Sequence, residues 1–289
     1  MEKRRVDLHT HSIYSDGCDE PVHLINVAKE NNVSILALTD HDNIDGSKEL
    51  IKENKKGIYL YSGVELTAKV KKGRMHILGY NIDLENLNLN SRLKEIRETS
   101  IYNMLLYIEL LKKDYNIIIQ QNKIDELLSL KGNVGRPQLA LILIEMGYCK
   151  EVQECFDEYL TPVFEKARNL KKGIDQEEAI NLIKEAGGVA SLAHPGTLKL
   201  APTELKKELL KMKQMGLECI EVIHSNTPIE MREYYYQLAQ ELELLISGGT
   251  DYHGYSVKPD ITLGHGRNEN VEIYSNDLSL TKNIISRYM

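Results

Sequence analysis

Long apolar runs are missing from this chain of 289 residues. The strongest stretch, residues 101–111, is interrupted by Asn103 and Glu109 and is too short to cross a bilayer. The N-terminus also lacks the apolar segment of a secretory leader, so a soluble protein of the cytoplasm with no membrane partner is expected. Cysteine is scarce: Cys18, Cys149, Cys155 and Cys219 form no C-x-x-C pair and no dense framework. Reduced thiols are expected, and neither a disulfide scaffold nor a thiolate metal site. An excess of positive charge is absent too, because 36 Lys and Arg face 43 Asp and Glu for a formal charge of −7. That balance removes the broad cationic footprint on which long duplex nucleic acid relies. Small or short anionic substrates stay compatible with it, since bound divalent ions reverse the field locally. Internal repeats, low-complexity tracts and flexible linkers are not seen, and no obligate protein partner is evident.

What is present is a regular alternation. Short β-branched and apolar runs at residues 6–9, 34–40, 58–65, 75–82, 188–194, 219–224 and 244–251 are separated by helical segments. This order predicts an α/β fold with parallel strands and right-handed crossovers. Helix punctuation agrees, with a capping box in Thr227-Pro228-Ile229-Glu230 and a helix opened by Asp175 and stopped at Gly187-Gly188. Between residues 91 and 173 the strand signal disappears, and Leu93, Ile96, Met104, Leu105, Ile108 and Leu111 recur at helical spacing. Residues 91–173 therefore read as an inserted α-helical subdomain, with residues 1–90 and 174–289 forming the main domain. Inside the insertion one helix is expected from Pro137 to Met146 and another over residues 151–159.

The chemistry sits at the strand ends. His9 and His11 are two apart at the end of the first strand, so their rings lean to one side, and Asp16 can reach back from the following loop. His41, Glu65, His76, His194, Asp251 and His253 lie at or near later strand ends. In a parallel barrel those ends share the face on which active sites are built. Nine nitrogen and oxygen ligands exceed the needs of one ion, which implies two to three divalent ions, with Mn, Zn or Fe suited to the donor set. Such a centre makes water a nucleophile and polarises a phosphoryl oxygen, and hydrolysis of phosphate esters is the expected reaction.

In their order along the chain, His9-Thr-His11 with Ser15-Asp16-Gly17, Thr39-Asp40-His41-Asp42, Gly63-Val64-Glu65, His76-Ile-Leu-Gly-Tyr80, Ala193-His194-Pro195-Gly196 and Gly249-Thr250-Asp251-Tyr-His253 resemble the polymerase and histidinol phosphatase (PHP) domain family. The resemblance implies a distorted (β/α)7 barrel similar to a TIM barrel and a trinuclear centre. It assigns His9, His11, Glu65 and Asp251 to one ion, Asp16, His41 and His253 to a second, and Glu65, His76 and His194 to a third, with Glu65 bridging. Asp16, Glu65, His194 and Asp251 are the expected catalytic residues. Asp40 and Asp42 are expected to orient ligands, because a metal-bound imidazole needs its other nitrogen held.

Arg136, in Gly135-Arg136-Pro137, resembles an arginine that reaches substrate in the family, and could grip a phosphate or simply open a helix in solvent. His224 resembles a residue at the site rim. Gln138 stands where close relatives often carry histidine, and an amide cannot exchange a proton near neutral pH. The resemblance implies a phosphoesterase in which a metal-bridging hydroxide removes the 3′-phosphate of nucleoside 3′,5′-bisphosphates or trims short single-stranded, 5′-phosphorylated RNA from its 5′ end. The insertion would roof the barrel mouth and admit small substrates. The alternatives are a histidinol-phosphate phosphatase and a non-catalytic, metal-stabilised binding module.

Overall fold

In the computed structural model, which describes residues 3–53, 57–132, 134–170 and 172–287, seven strands follow one another around a barrel. They are β1 (Arg5–Thr10), β2 (Val33–Leu38), β3 (Tyr59–Ala68), β4 (Met75–Tyr80), β5 (Val189–Leu192), β6 (Cys219–His224) and β7 (Leu245–Gly249). Their spatial order is their order in sequence. β2, β5 and β6 are buried almost throughout, which is why they read as continuous apolar runs. The circle closes where β1 meets the segment after β7: His11 N donates to Tyr252 O at 2.8 Å and Asp251 N to His9 O at 2.9 Å. Gly249 permits that closure, because a Cβ there would lie 2.4 Å from the backbone nitrogen and Cβ of His9.

One strand departs from the all-parallel expectation. β4 is antiparallel to both β3 and β5. Only residues 69–74 join β3 to β4, and a parallel crossover needs a dozen residues or more, so the pair can only turn back as a hairpin. The helices Pro21–Glu30 and Asp45–Glu53 cover β2 through Leu24, Ala28 and Leu50 packed on Leu36 and Leu38. Each fully buried leucine of this kind contributes roughly 1.5–3 kcal/mol.

The chain divides into two compact units, Met1–Ser91 with Ile174–Met289 and, separately, Arg92–Gly173. The second is helical, with its own core of Met104, Tyr107, Leu111, Leu139, Leu143, Leu160 and Val163. Two local expectations change. Asp175 does cap its helix, accepting from Glu178 N at 2.9 Å, but Thr227 caps nothing: Pro228 takes the cap position and the helix runs Ile229–Glu241. Cys149 and Cys155 are joined as a disulfide, contrary to the reading of all four cysteines as reduced, while Cys18 and Cys219 are free. A turn between two helices brings their Cα atoms to 5.5 Å, within bridging range, and a six-residue separation carries no motif that announces it. No helix among the described residues is long and apolar enough to cross a membrane.

Candidate metal centre

Every residue of the expected ligand set reaches one end of the barrel. His9 lies in β1, His11 follows it, Glu65 lies in β3, His194 follows β5, and Asp251 and His253 follow β7. His76 is second in β4, opposite Thr67. Because β4 runs antiparallel, its beginning shares the face formed by the other strands' ends. Asp16 and His41 come from the loops after β1 and β2. Three backbone positions here are left-handed: His194 at φ +24°, Asp42 at +49° and Asp251 at +58°. Residues with side chains tolerate that region only where the surroundings impose it, and such strain gathers at functional sites.

Glu65 is the hub, with a side chain 1% exposed. Its Oε1 lies 2.9 Å from His76 Nδ1 and 2.9 Å from His194 Nε2. Its Oε2 lies 3.3 Å from the Nε2 atoms of His9 and His11 and 3.2 Å from His41 Nδ1. Asp251 Oδ1 approaches the same two Nε2 atoms at 3.5 and 3.3 Å. Asp16 sits 3.1 Å from His253 Nε2 and 3.8 Å from His41 Nε2.

The outer nitrogens reveal the protonation pattern. His9 Nδ1 is 2.8 Å from Glu221 Oε1, and His253 Nδ1 is 2.8 Å from the carbonyl of Asp251. Ser15 gives its hydroxyl proton to Asp40 and faces His11 Nδ1 at 3.3 Å. Thr197 turns its hydroxyl proton to a carbonyl, of Arg74 or of His194 itself, and faces His194 Nδ1 at 3.1 Å. In all four rings Nδ1 therefore carries the hydrogen and donates outward, so a neutral ring points the Nε2 lone pair inward. Those lone pairs face carboxylate oxygens, an arrangement that repels unless a cation lies between them. His9 Nε2, His11 Nε2, Asp16 Oδ1 and Glu65 Oε2 are correspondingly buried without a hydrogen-bond partner. Buried polar atoms left this way are costly, and divalent ions would satisfy them all.

Sets that could hold an ion are His11, Asp16, His41 and His253; His9, His11 and Asp251; His9, Glu65 and His194; His41, Glu65 and His76; and His9, Glu221 and His224. In the last of these both Glu221 oxygens already accept hydrogen bonds, from His9 Nδ1 and His194 N. Without metal, protons take the role of the cations. Burial works to protonate Glu65, Asp16 and Asp251, yet the adjoining histidines, with Lys258 at Asp251, hold all three well below the usual carboxylate range. Burial lowers the pKa of His11, but Asp251, Glu65 and Asp16 outweigh it and raise the value to about 9. His76 goes the other way, to about 4, because burial outweighs its contact with Glu65.

Two residues at the centre escaped sequence reasoning. Glu221, in the middle of β6 and fully buried, accepts from His9 Nδ1 with one oxygen and from His194 N, at 2.6 Å, with the other. A charged residue inside the otherwise apolar run Cys219-Ile-Glu-Val-Ile223 was the available signal. Lys258 places Nζ 2.6 Å from Asp251 Oδ2, and nothing local marks it.

The orienting acids behave differently from each other. Asp40 holds Ser12 and Ser15, and acts on His11 through Ser15. Asp42 accepts from Thr67 N at 2.8 Å and so fastens β3. His224, expected at the rim, is 2% exposed; its Nδ1 accepts from Asn226 N, and its Nε2 is 3.6 Å from Asp251 Oδ2. Arg136 belongs to the helical unit, where its guanidinium carbon lies 3.9 Å from the centre of the Phe164 ring. Gln138 accepts from Gly135 N at 2.9 Å, closing the start of the helix Arg136–Glu145.

Comparison with known proteins defines the class. The model of the PHP domain matches residues 7–242, and the chain belongs to that family. The 5′-3′ exoribonuclease Rnm of Escherichia coli is 30% identical over 255 residues, covering 86% of this chain and 84% of the relative. The 3′,5′-nucleoside bisphosphate phosphatase of Chromobacterium violaceum is 28% identical over 256 residues, covering 86% and 87%. A crystal structure from Bifidobacterium adolescentis, of a protein proposed to be a metal-dependent phosphoesterase, superposes with a TM-score of 0.75 at 27% identity and covers 87% of this chain and 88% of that one. The expectations of a PHP barrel and of a hydrolase acting on phosphoric esters hold.

Proposed function

We propose that His9, His11, Asp16, His41, Glu65, His76, His194, Asp251 and His253 hold two to three divalent ions, of Mn, Zn or Fe, and that the centre hydrolyses phosphate esters of nucleotides. The substrates are nucleoside 3′,5′-bisphosphates, losing the 3′-phosphate, and short 5′-phosphorylated RNA, trimmed from its 5′ end. When bound, the ions supply a water of lowered pKa and Lewis-acid polarisation of the phosphoryl group. The chain's own part is positional. Glu65 joins neighbouring ligand sets, Asp16 and Asp251 bring further negative charge beside His11 and His253, and His194 is fixed from both Thr197 and Glu221. Arg136 and His224 are assigned to substrate. The work is placed in the cytoplasm, on small or single-stranded nucleotides and not on long duplexes.

The observation that carries this reading is the convergence of four imidazole lone pairs on shared, buried carboxylates. The substrates come from the two relatives, whose activities the same donor set would serve. A panel of adenosine 3′,5′-bisphosphate, a short 5′-phosphorylated RNA and histidinol phosphate tests it with Mn-, Zn- and Fe-loaded protein. Turnover of the first two is expected, and loss of nearly all of it in Asp16→Asn and His194→Asn. Rapid hydrolysis of histidinol phosphate alone, or full activity in both variants, would overturn the proposal.

A further inference from the structure

The hairpin between β3 and β4 ends in Lys69-Val-Lys-Lys-Gly-Arg74, and the turn after His194 carries Lys199. Lys69, Lys71, Lys72, Arg74 and Lys199 are all exposed, and none is paired with a carboxylate among the described residues. Asp42, the carboxylate that touches this hairpin, is turned onto the backbone of Thr67. Five unpaired cations on a chain of charge −7 form a local reversal of sign.

The tip is also fixed in place. Arg74 N donates to Thr197 O at 3.0 Å, Thr197 Oγ1 faces Arg74 O at 3.0 Å, and Lys69 N donates to Ile174 O at 2.8 Å. Gly73, at φ +69°, lets the two segments touch, since a Cβ there would lie 2.4 Å from Thr197 O. Thr197 is the residue that faces the outer nitrogen of His194, and His76 follows Arg74 by two positions. One hydrogen-bonded unit therefore links the basic tip to the metal-facing histidines.

We infer that this tip is a docking strip for the sugar–phosphate backbone of a single-stranded nucleic acid whose reacting phosphate lies at the metal centre. The inference rests on the proposed function and deepens it. A nucleoside 3′,5′-bisphosphate that reacts at its 3′-phosphate carries one further phosphate, the 5′ group of the same nucleotide, and none beyond it. A strand continues past it, and its next phosphates need positive charge in a field that is otherwise repulsive. The strip contains no aromatic side chain on which a base could stack, so it reads backbone charge and not sequence.

The double variant Lys71→Glu/Lys72→Glu tests this, because both side chains are exposed and lie outside the metal centre. Two readouts are needed: steady-state kinetics on a 5′-phosphorylated pentaribonucleotide and on adenosine 3′,5′-bisphosphate, and fluorescence anisotropy with a labelled, cleavage-resistant phosphorothioate pentaribonucleotide. For the pentamer, KM and Kd are expected to rise about tenfold, and the slope of log affinity against log salt to fall by about 1.4, the loss of two single-strand phosphate contacts. The pentamer's kcat stays within about twofold, as loss of a remote uniform contact requires, and so do kcat and KM for the bisphosphate, which does not reach the strip. Equal effects on both substrates, or an unchanged pentamer Kd and salt slope, would overturn the strip. If the wild type turns over neither substrate, the proposed reaction fails, and the anisotropy result still decides the strip.

Discussion

Individual side chains at this centre are set by what stands behind them. Glu221 is the plainest case: with both oxygens occupied by N–H donors of His9 and His194, it fixes one ring and one backbone without offering an atom to the ions. Replacing it by alanine is expected to weaken metal binding about 10–100-fold, the usual loss when a partner of a ligating histidine is removed. Metal titration followed by elemental analysis measures this, and wild-type affinity in the variant would contradict it. Protonation acts at the same scale. The pKa of His11 in the metal-free chain, about 9, lies above the unfolded value of about 6.5, so the protonated ring contributes stability that is complete below about pH 6.5 and lost as pH rises through about 9. Burial-opposed pairing with Glu221 and Glu65 raises His9 in the same direction. Chelator-treated protein should therefore lose melting temperature between pH 6.5 and 9. Metal-loaded protein should not, because the ion takes the proton's place. A flat profile for the metal-free protein would refute the assignment.

Among the elements, the β3–β4 hairpin does most to shape the site. It reverses one strand, so that a histidine near a strand's beginning joins carboxylates and histidines near other strands' ends. The contact between β1 and the end of β7 is the other decisive junction. Gly249→Ala would push a methyl group against the backbone of His9, and overpacking of this kind costs about 1–3 kcal/mol. Urea denaturation should show a lower midpoint with an unchanged slope. An unaffected midpoint would mean that the barrel opens freely at this seam.

For the whole molecule, folding and metal binding are one equilibrium. Carboxylates and histidines assembled from both ends of the first unit are held against one another, so an ion that binds only the assembled site stabilises the fold. At a free metal concentration of about 100 Kd this amounts to about 2.7 kcal/mol, or roughly 5–10 °C for a unit of this size. Differential scanning calorimetry of loaded and chelated protein gives the comparison. No difference between them would argue against ligation by residues as separated in sequence as His9 and Asp251.

Much of this was legible in order and spacing. Strand runs and intervening helices defined the α/β class, because burial on both faces forces apolar continuity in a strand, and the resemblance to the PHP family supplied the barrel. His9, His11, Asp16, Glu65, Asp251 and their companions stood out because side-chain chemistry and strand-end position are both local properties. The direction of β4 follows from its short connection to β3, whereas tertiary structure alone decided the buried placement of His224, the disulfide between Cys149 and Cys155, and the parts played by Glu221 and Lys258. Glu221 meets His9 across 212 positions, and such a contact leaves no periodic trace in the chain. Cys149 and Cys155, or Asp251 and Lys258, are close in sequence, but only the folded turn between them brings the side chains together. The lone pairs aimed inward at Glu65 and Asp251 belong to that second category: sequence supplies the imidazoles, and only packing chooses which nitrogen keeps its proton.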